Sequence, residues 1–452
     1  MKKFITFTLC LLLCVVTLGL SGCGKSKEEK VDTSLATNGN GGMVVTRGDY
    51  VYFVNGYNSY STITKNNLTK KYDVGGLYRA KLNSNGNFEY TEDGALANVE
   101  RISGHLTGFE STSLYVFGNH IYYSTPITDV DKKGNLQTDR LEFRRVSITG
   151  GETDKLYTSK VSADSIEFEF YYADGKVYLM INEDGTLKRI TCTGKIGTSE
   201  VATGITSLVL PRDSYDVFDS ISYKNIFYTK TNEDDKIEIY NYNIVTGKEE
   251  YRKATNYKTC ELIEYKFGHL YYKASGSEYP NYTYFYRIDA TKNAITSLAE
   301  EKLTSDKDYE TLYLLDNETD GYIAQSADKT YYLSYNSGNV SEPILVGDGS
   351  KIEIMAIKNN YIYYKSDNNI MRINYYDLKV DGTADEETVL TMDNIKTYDY
   401  DIDDNNLYVY ATSGSNTYLY SIKINNVMED EDYEAKLLGV YNEGDAPETE
   451  EE

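Results

Sequence analysis

The sequence predicts an all-β chain folded as a β-propeller, most simply of eight four-stranded blades, and three observations carry that reading. One short phrase recurs eight times along the 452 residues. Each occurrence lies between stretches that alternate at period two and are bounded by Gly, Asn and Asp, the pattern of strands. No segment after Cys23 sustains a helical period.

The phrase is a polar turn followed by an aliphatic–aromatic pair and usually a second aromatic. It opens at Gly48-Asp49-Tyr50-Val51-Tyr52-Phe53 and returns at Gly118-Asn119-His120-Ile121-Tyr122-Tyr123, Asp174-Gly175-Lys176-Val177-Tyr178-Leu179 and Lys224-Asn225-Ile226-Phe227-Tyr228. It continues at Phe267-Gly268-His269-Leu270-Tyr271-Tyr272, a weaker Asp320-Gly321-Tyr322-Ile323, Asn359-Asn360-Tyr361-Ile362-Tyr363-Tyr364 and Asp404-Asn405-Asn406-Leu407-Tyr408-Val409-Tyr410. The spacing of roughly 40 to 70 residues is near that of propeller blades.

Each phrase sits inside a four-part unit. A strand-like stretch precedes it, such as Leu114-Tyr115-Val116-Phe117 or Tyr398-Asp399-Tyr400, and an alternating stretch such as Lys236-Ile237-Glu238-Ile239-Tyr240 follows. A turn then leads to a final polar strand. Ile244-Val245-Thr246-Gly247 shows this turn, and Ile148-Thr149-Gly150-Gly151 and Cys192-Thr193-Gly194-Lys195 echo it. One four-stranded sheet cannot bury both faces alone, whereas stacking blades around an axis buries the aromatic faces between neighbours. The first two units carry long insertions. Two alternatives stay open: a seven-bladed ring, if the phrase at Asp320 is not a blade, and tandem β-sandwiches. The first blade owns an inner strand around Met43-Val44-Val45 and the eighth an outer one around Leu437-Leu438-Gly439-Val440, so closure needs no exchanged strand.

The first residues read differently. Lys2 and Lys3 precede an apolar run from Phe4 to Leu20, the layout of a secretory signal peptide. The run ends in Leu20-Ser21-Gly22-Cys23, which resembles the lipobox of bacterial lipoproteins. The resemblance implies cleavage between Gly22 and Cys23 and a lipid on the Cys23 thiol. The expected partner is then a membrane, with the mature chain on the extracytoplasmic side of a bacterial cell. Expected boundaries are 1–22 signal peptide, 23–42 lipidated cysteine and flexible tether, 43–441 propeller, and 442–452 acidic disordered tail. The tether is polar and ends in Asn38-Gly39-Asn40-Gly41-Gly42, too little apolar surface to fold alone.

Composition excludes one partner class. Loss of Lys2 and Lys3 takes the formal charge from −24 to −26, which argues against nucleic acid, whose binding rests on Lys and Arg neutralising phosphates. Tyrosine numbers 47, tryptophan none and histidine three. Cys10 and Cys14 leave with the signal peptide, so Cys192 and Cys260 remain as thiols, expected to stay unpaired with Cys260 the more buried.

No catalytic set emerges. His105, His120 and His269 form no ligand pair, and His120 and His269 hold the same strand-entry place in two repeats. No G-x-S-x-G occurs. Asp129-Val130-Asp131-Lys132-Lys133-Gly134 begins like a calcium loop but has Lys133 at a ligand position and Arg140 at the closing one. Asp399, Asp401 and Asp403 alternate onto one strand face and are weak metal candidates; an ordinary exposed blade end serves equally. Arg47-Gly48-Asp49 supplies turn geometry. No cofactor is expected.

Ile226-Phe227-Tyr228-Thr229 resembles the Tyr-Trp-Thr-Asp strand of the low-density-lipoprotein-receptor type of propeller, and more closely the bacterial tyrosine-rich propeller lipoproteins grouped with it. Lys230 stands where that repeat has aspartate, so no ligand-binding residue carries over. Thr246-Gly247 resembles the tight turn of quinoprotein-like propellers, without their tryptophan. The functional expectation is a non-enzymatic binding or scaffolding module for a protein or glycan. The alternatives are a glycan-active enzyme with carboxylates near the axis and an envelope-assembly partner.

Overall fold

Eight antiparallel sheets follow one another along the chain, each with four strands paired in chain order; Asp129–Val130 and Leu136–Gln137 pair separately within the second. The computed structural model describes residues 34–438 except 66, 93, 95, 107–112, 128, 138, 212–224, 277–281, 291–299, 305–308, 337, 392–394, 414–415 and 426–432; at 55–62, 68, 71–75, 104–106, 251–252, 395–399, 412–413 and 416–418 it describes the backbone alone. Gly22, Cys23 and the acidic tail therefore lie outside the described residues, as does the side chain of His105.

Blade 1 comprises Val44–Arg47, Tyr50–Lys65, Leu68–Lys81 and Val99–Leu106; blade 2 Leu114–Phe117, His120–Pro126, Leu141–Ser147 and Asp154–Thr158. Blade 3 comprises Ile166–Ala173, Lys176–Glu183, Thr186–Thr191 and Gly197–Thr203; blade 4 Ile205–Val209, Asn225–Thr231, Ile237–Asn243 and Lys248–Ala254. Blade 5 comprises Tyr257–Lys266, His269–Gly276, Thr283–Asp289 and Glu301–Lys302; blade 6 Thr311–Leu314, Gly321–Gln325, Lys329–Asn336 and Ile344–Ser350. Blade 7 comprises Glu353–Lys358, Tyr361–Ser366, Asn369–Asn374 and Glu386–Thr391; blade 8 Ile395–Ile402, Asn406–Ser413, Asn416–Lys423 and Ala435–Leu437. All eight phrases supply second strands, and Gly321–Gln325 makes the weak sixth a full blade. The fold is an eight-bladed β-propeller.

The reason the aliphatic and aromatic residues of the phrase stand at consecutive positions is visible in the core. Eight hydrophobic clusters straddle the eight seams between neighbouring blades. Successive residues of one strand feed opposite seams: Val51 and Phe53 pack toward blade 8, Tyr52 and Val54 toward blade 2. Likewise Ile226 and Tyr228 face blade 3 while Phe227 faces blade 5. Side chains alternate across a strand, so a sheet buried on both faces must be apolar at consecutive positions. His120 and His269 take the place of Tyr50 and Tyr361, each ring lying 6.3–6.5 Å from the aromatic two residues on.

Among the described residues the ring closes by packing, without strand exchange. Met43, Val44, Val51 and Phe53 meet Tyr408, Tyr410 and Leu419 across the seam, and the Tyr410 hydroxyl donates to the Val54 carbonyl at 2.8 Å. Burying a tyrosine calls for such a partner for its hydroxyl.

Three expectations need correction. Thr37–Asn38 form a strand inside the innermost strand of blade 1, so residues 37–42 belong to the ring. Gly41 and Gly42 exchange backbone hydrogen bonds with Leu114, and Asn40 bonds both backbone groups of Val116. A neighbouring sheet edge supplies the partners that composition alone cannot. Second, Tyr375–Asp381 is a helix between the outer strands of blade 7. Asn374 caps it by accepting from the Tyr376 N–H at 3.0 Å, Gly382 ends it at φ 75°, and seven residues are too few to show a period. Third, Cys192 is the more buried thiol, at 0 % exposure against 6 % for Cys260, because it packs in the seam of blades 2 and 3.

Candidate functional site

The turns at one end of the blades (first-to-second and third-to-fourth strand) form one face of the ring. On it, at the seam of blades 8 and 1, lies a cleft of about 720 Å³, within the 300–1,000 Å³ usual for ligand sites. Blade 1 contributes Thr46 from its first strand, Gly48 from the turn after it, and Leu82, Asn85, Asn87, Phe88 and Tyr90 from the loop after its third strand. That loop is folded on itself: the Asn83 carboxamide accepts from the N–H groups of Asn85 and Asn87 at 2.9 and 3.0 Å, and Ala97 N–H donates to Glu89. Phe88 and Tyr90 pack against the seam cluster, which fixes their rings.

Blade 8 contributes Asp403, Asn405, Asn406, Lys423, Tyr433, Glu434 and Lys436. The Tyr90 hydroxyl is buried in this cleft and hydrogen-bonds to no group of the described residues. Burial, and secondarily the Glu434 charge, pushes it up to about 12, so it stands as a neutral O–H. Lys436 lies 5.7 Å over the Tyr90 ring and pairs with Glu434 at 3.3 Å. A phenol, carboxamides, an aromatic wall and one ion pair suit a hydroxyl-rich ligand.

Asp401 and Asp403, two of the aspartates singled out in the sequence, serve different partners. Asp403 is 4 % exposed, and its carboxylate accepts from Asn405 N–H at 2.7 Å, Asn406 N–H at 2.8 Å and the Tyr408 hydroxyl at 2.9 Å. It locks the turn into the second strand, and burial raises its pKa. Asp401 turns toward blade 1, where it accepts from Val44 N–H at 3.0 Å; burial raises it to about 7. A Cβ on Gly42 would come 1.9 Å from this carboxylate, so the closure leaves room for glycine alone. The Asp399 side chain lies outside the described residues. Among those residues no group of three or more His, Cys, Asp or Glu is placed to hold a metal ion. Asp131 accepts from the N–H groups of Lys133 and Asn135, both at 2.8 Å, and so shapes its own loop.

Tyr90, Phe88 and Tyr433 were missed in the sequence because each stands outside the repeated phrase. The signal available was the extra length of the first unit.

No family model and no curated protein matches the chain. The low-density-lipoprotein-receptor grouping thus rests on the short phrase alone. Solved structures similar to it are propellers. They include the β-propeller domain of the Trilobed protease from Pyrococcus furiosus (TM-score 0.43, 10 % identity, 73 % of this chain and 99 % of that one). BamB from Moraxella catarrhalis gives 0.40 and 11 %, over 80 % and 96 %. The Pyrococcus horikoshii acylaminoacyl peptidase gives 0.41 and 13 %, over 72 % of this chain and 51 % of that one, so the likeness spans about half its length. Among the described residues no helix is long and apolar enough to cross a membrane.

Proposed function

We propose that this chain is a lipid-anchored, extracytoplasmic binding module, held by Cys23 and taking a glycan-type ligand in the cleft between blades 8 and 1. The observation that carries the ligand class is the buried Tyr90 hydroxyl, a donor with no acceptor among the described residues, set beside Asn85, Asn87, Phe88 and Tyr433. Leaving a buried polar group unmatched costs about 1–3 kcal/mol, and a sugar hydroxyl accepting from it recovers that. Of the carboxylates that line the cleft, Asp403 is committed to two backbone N–H groups and the Tyr408 hydroxyl and Glu434 to the Lys436 ion pair, which favours binding over acid–base chemistry.

Calorimetric titration of the mature chain with short hexose and N-acetylhexosamine oligomers tests this. Binding by at least one series is expected, weakened about 3- to 10-fold in Tyr90→Phe, the worth of one hydrogen bond. No binding at millimolar oligomer, or unchanged affinity in Tyr90→Phe, rejects the site.

A further inference from the structure

The chain enters the ring at a defined face. Thr37 lies opposite Arg47 at the end of the innermost strand of blade 1, and the turn residue Gly48 donates its N–H to Ala36 at 3.2 Å. Leu35 lies against the same turn. The chain preceding Ser34 therefore leaves from the face that carries the first-to-second and third-to-fourth turns. Ten residues separate Ser34 from Cys23, a reach of roughly 35–40 Å fully extended and about half that as a coil.

A second, independent observation concerns the same face. Of the eight large apolar side chains that stand exposed among the described residues, six lie there: Leu35, Val99, Ile196, Phe267, Tyr376 and Val380. Tyr282 lies at the opposite face and Leu345 on an outermost strand. Tyr376 and Val380 are one helical turn apart on the exposed side of the blade 7 helix. Three of the six follow a lysine directly: Lys195-Ile196, Lys266-Phe267 and Lys379-Val380. An apolar tip beside a long cationic stem is suited to a headgroup layer, with the tip in the acyl boundary and the ammonium among phosphates, as at Lys195 and Lys266; the Lys379 ammonium is instead paired with Glu318.

Phe267 is the most telling of these. Other blades fill the same turn position with Gly48, Gly118, Asp174 and Asn359, at φ 52–59°. Blade 5 places a phenyl ring there, at φ 50° and 44 % exposed. A bulky residue in the left-handed region is strained, and neither the turn nor the core gains from this one.

We propose that this face lies against the bilayer, with Phe267, Ile196 and the Tyr376–Val380 helix edge dipping into its interface. The proposal rests on the membrane tether of the preceding section and adds an orientation to it. The cleft of blades 8 and 1 then opens toward the headgroup layer, so its ligand is one presented at the membrane surface. The long second-to-third-strand hairpins of blades 1 and 2, joined by the Lys65–Asp129 ion pair, point away from it.

The sequence has no tryptophan, so a single introduced one is a unique reporter. The mature chain is coupled through Cys23 to a maleimide lipid in phosphatidylglycerol–phosphatidylethanolamine vesicles, which holds it whether or not cells acylate that cysteine. Quenching by doxyl-labelled lipid is then read for Phe267→Trp and Val380→Trp on this face and for Asp234→Trp and Ala327→Trp on the other. Quenching at least threefold stronger for the first pair is expected. Equal quenching, quenching of the second pair alone, or none at all overturns the orientation. Mass measurement of the Cys23 peptide from cells judges the lipid separately.

Discussion

Arg189 on the third strand of blade 3 donates through Nη1 to the Ile244 carbonyl of blade 4 at 2.7 Å. The same bond joins Arg79 to Ile148 at 2.9 Å and Arg145 to Cys192 at 3.2 Å, so three successive seams are stapled alike. Each acceptor is the first residue of the turn that follows a third strand. In blades 1 and 2 an acid directly opposite on the fourth strand, Glu100 or Asp154, holds the guanidinium from behind. The planar fork suits this double duty, bonding a carboxylate on one side and a carbonyl on the other.

Removing the Arg189 staple is expected to lower stability by about 1–3 kcal/mol, since a charge-assisted bond to a partly buried carbonyl is lost. Gly247→Ala is expected to cost a comparable amount: φ is 69° there, and a Cβ would lie 2.8 Å from the guanidinium. Chemical denaturation of both variants checks this. Neither cost should add fully to the other in the double variant, because both act on one contact.

The Asp401 bond to Val44 makes ring closure sensitive to pH. The folded carboxyl, near 7, holds a proton that the unfolded chain releases near 3.8. Its contribution to stability is therefore complete below about pH 4, declines as pH rises toward 7, and is flat above. Burial is the main cause, with the Asp403 charge adding to it. Asp401→Asn keeps the carbonyl acceptor for Val44. The difference in Tm between variant and parent should accordingly change between pH 4 and 7 and level off above. A constant difference over that range would exclude this role.

Both Cys192 and Cys260 have thiols pushed up to about 12 by burial, so almost no thiolate is present at neutral pH. Iodoacetamide at pH 8 should leave both unmodified in the folded protein, and Cys192 should be the slower to react on partial unfolding. In denaturant without reductant, mass spectrometry should find both alkylated, consistent with two free cysteines.

Phe267→Gly relieves an aromatic residue in the left-handed region and should leave Tm unchanged or raised. Phe227→Ala, a fully buried ring in the seam of blades 4 and 5, should cost about 3–5 kcal/mol. The pair separates a surface ring from a core ring by thermal melts alone.

On the lipid anchoring proposed above, Cys23→Ala should accumulate as an unprocessed precursor, because the thiol would be the lipid acceptor on which cleavage depends. Metabolic labelling with a fatty-acid analogue checks this; label on the variant would refute it.

The blade count and strand order were legible in the sequence because a sheet buried on both faces writes itself as a continuous aliphatic–aromatic phrase, and Gly, Asn or Asp marks each left-handed turn. His120 and His269 could be placed for the same reason, as members of a register. The cleft was not legible, since Tyr90 and Tyr433 stand in irregular loops and are brought together only when the first blade meets the last. Nor were the arginine staples: Arg189 and Ile244 are 55 residues apart, and nothing local marks a guanidinium that crosses a seam. The role of Asp401 belongs with these. Alternation placed it on a face with Asp399 and Asp403, but a register shift within the Ile395–Ile402 strand and the return of Val44 to its side set what that carboxylate bonds. Local periodicity thus determined the repeat unit of this protein, through backbone geometry and burial. Contacts between units far apart in sequence depend on how the ring closes, and only the tertiary structure decided them.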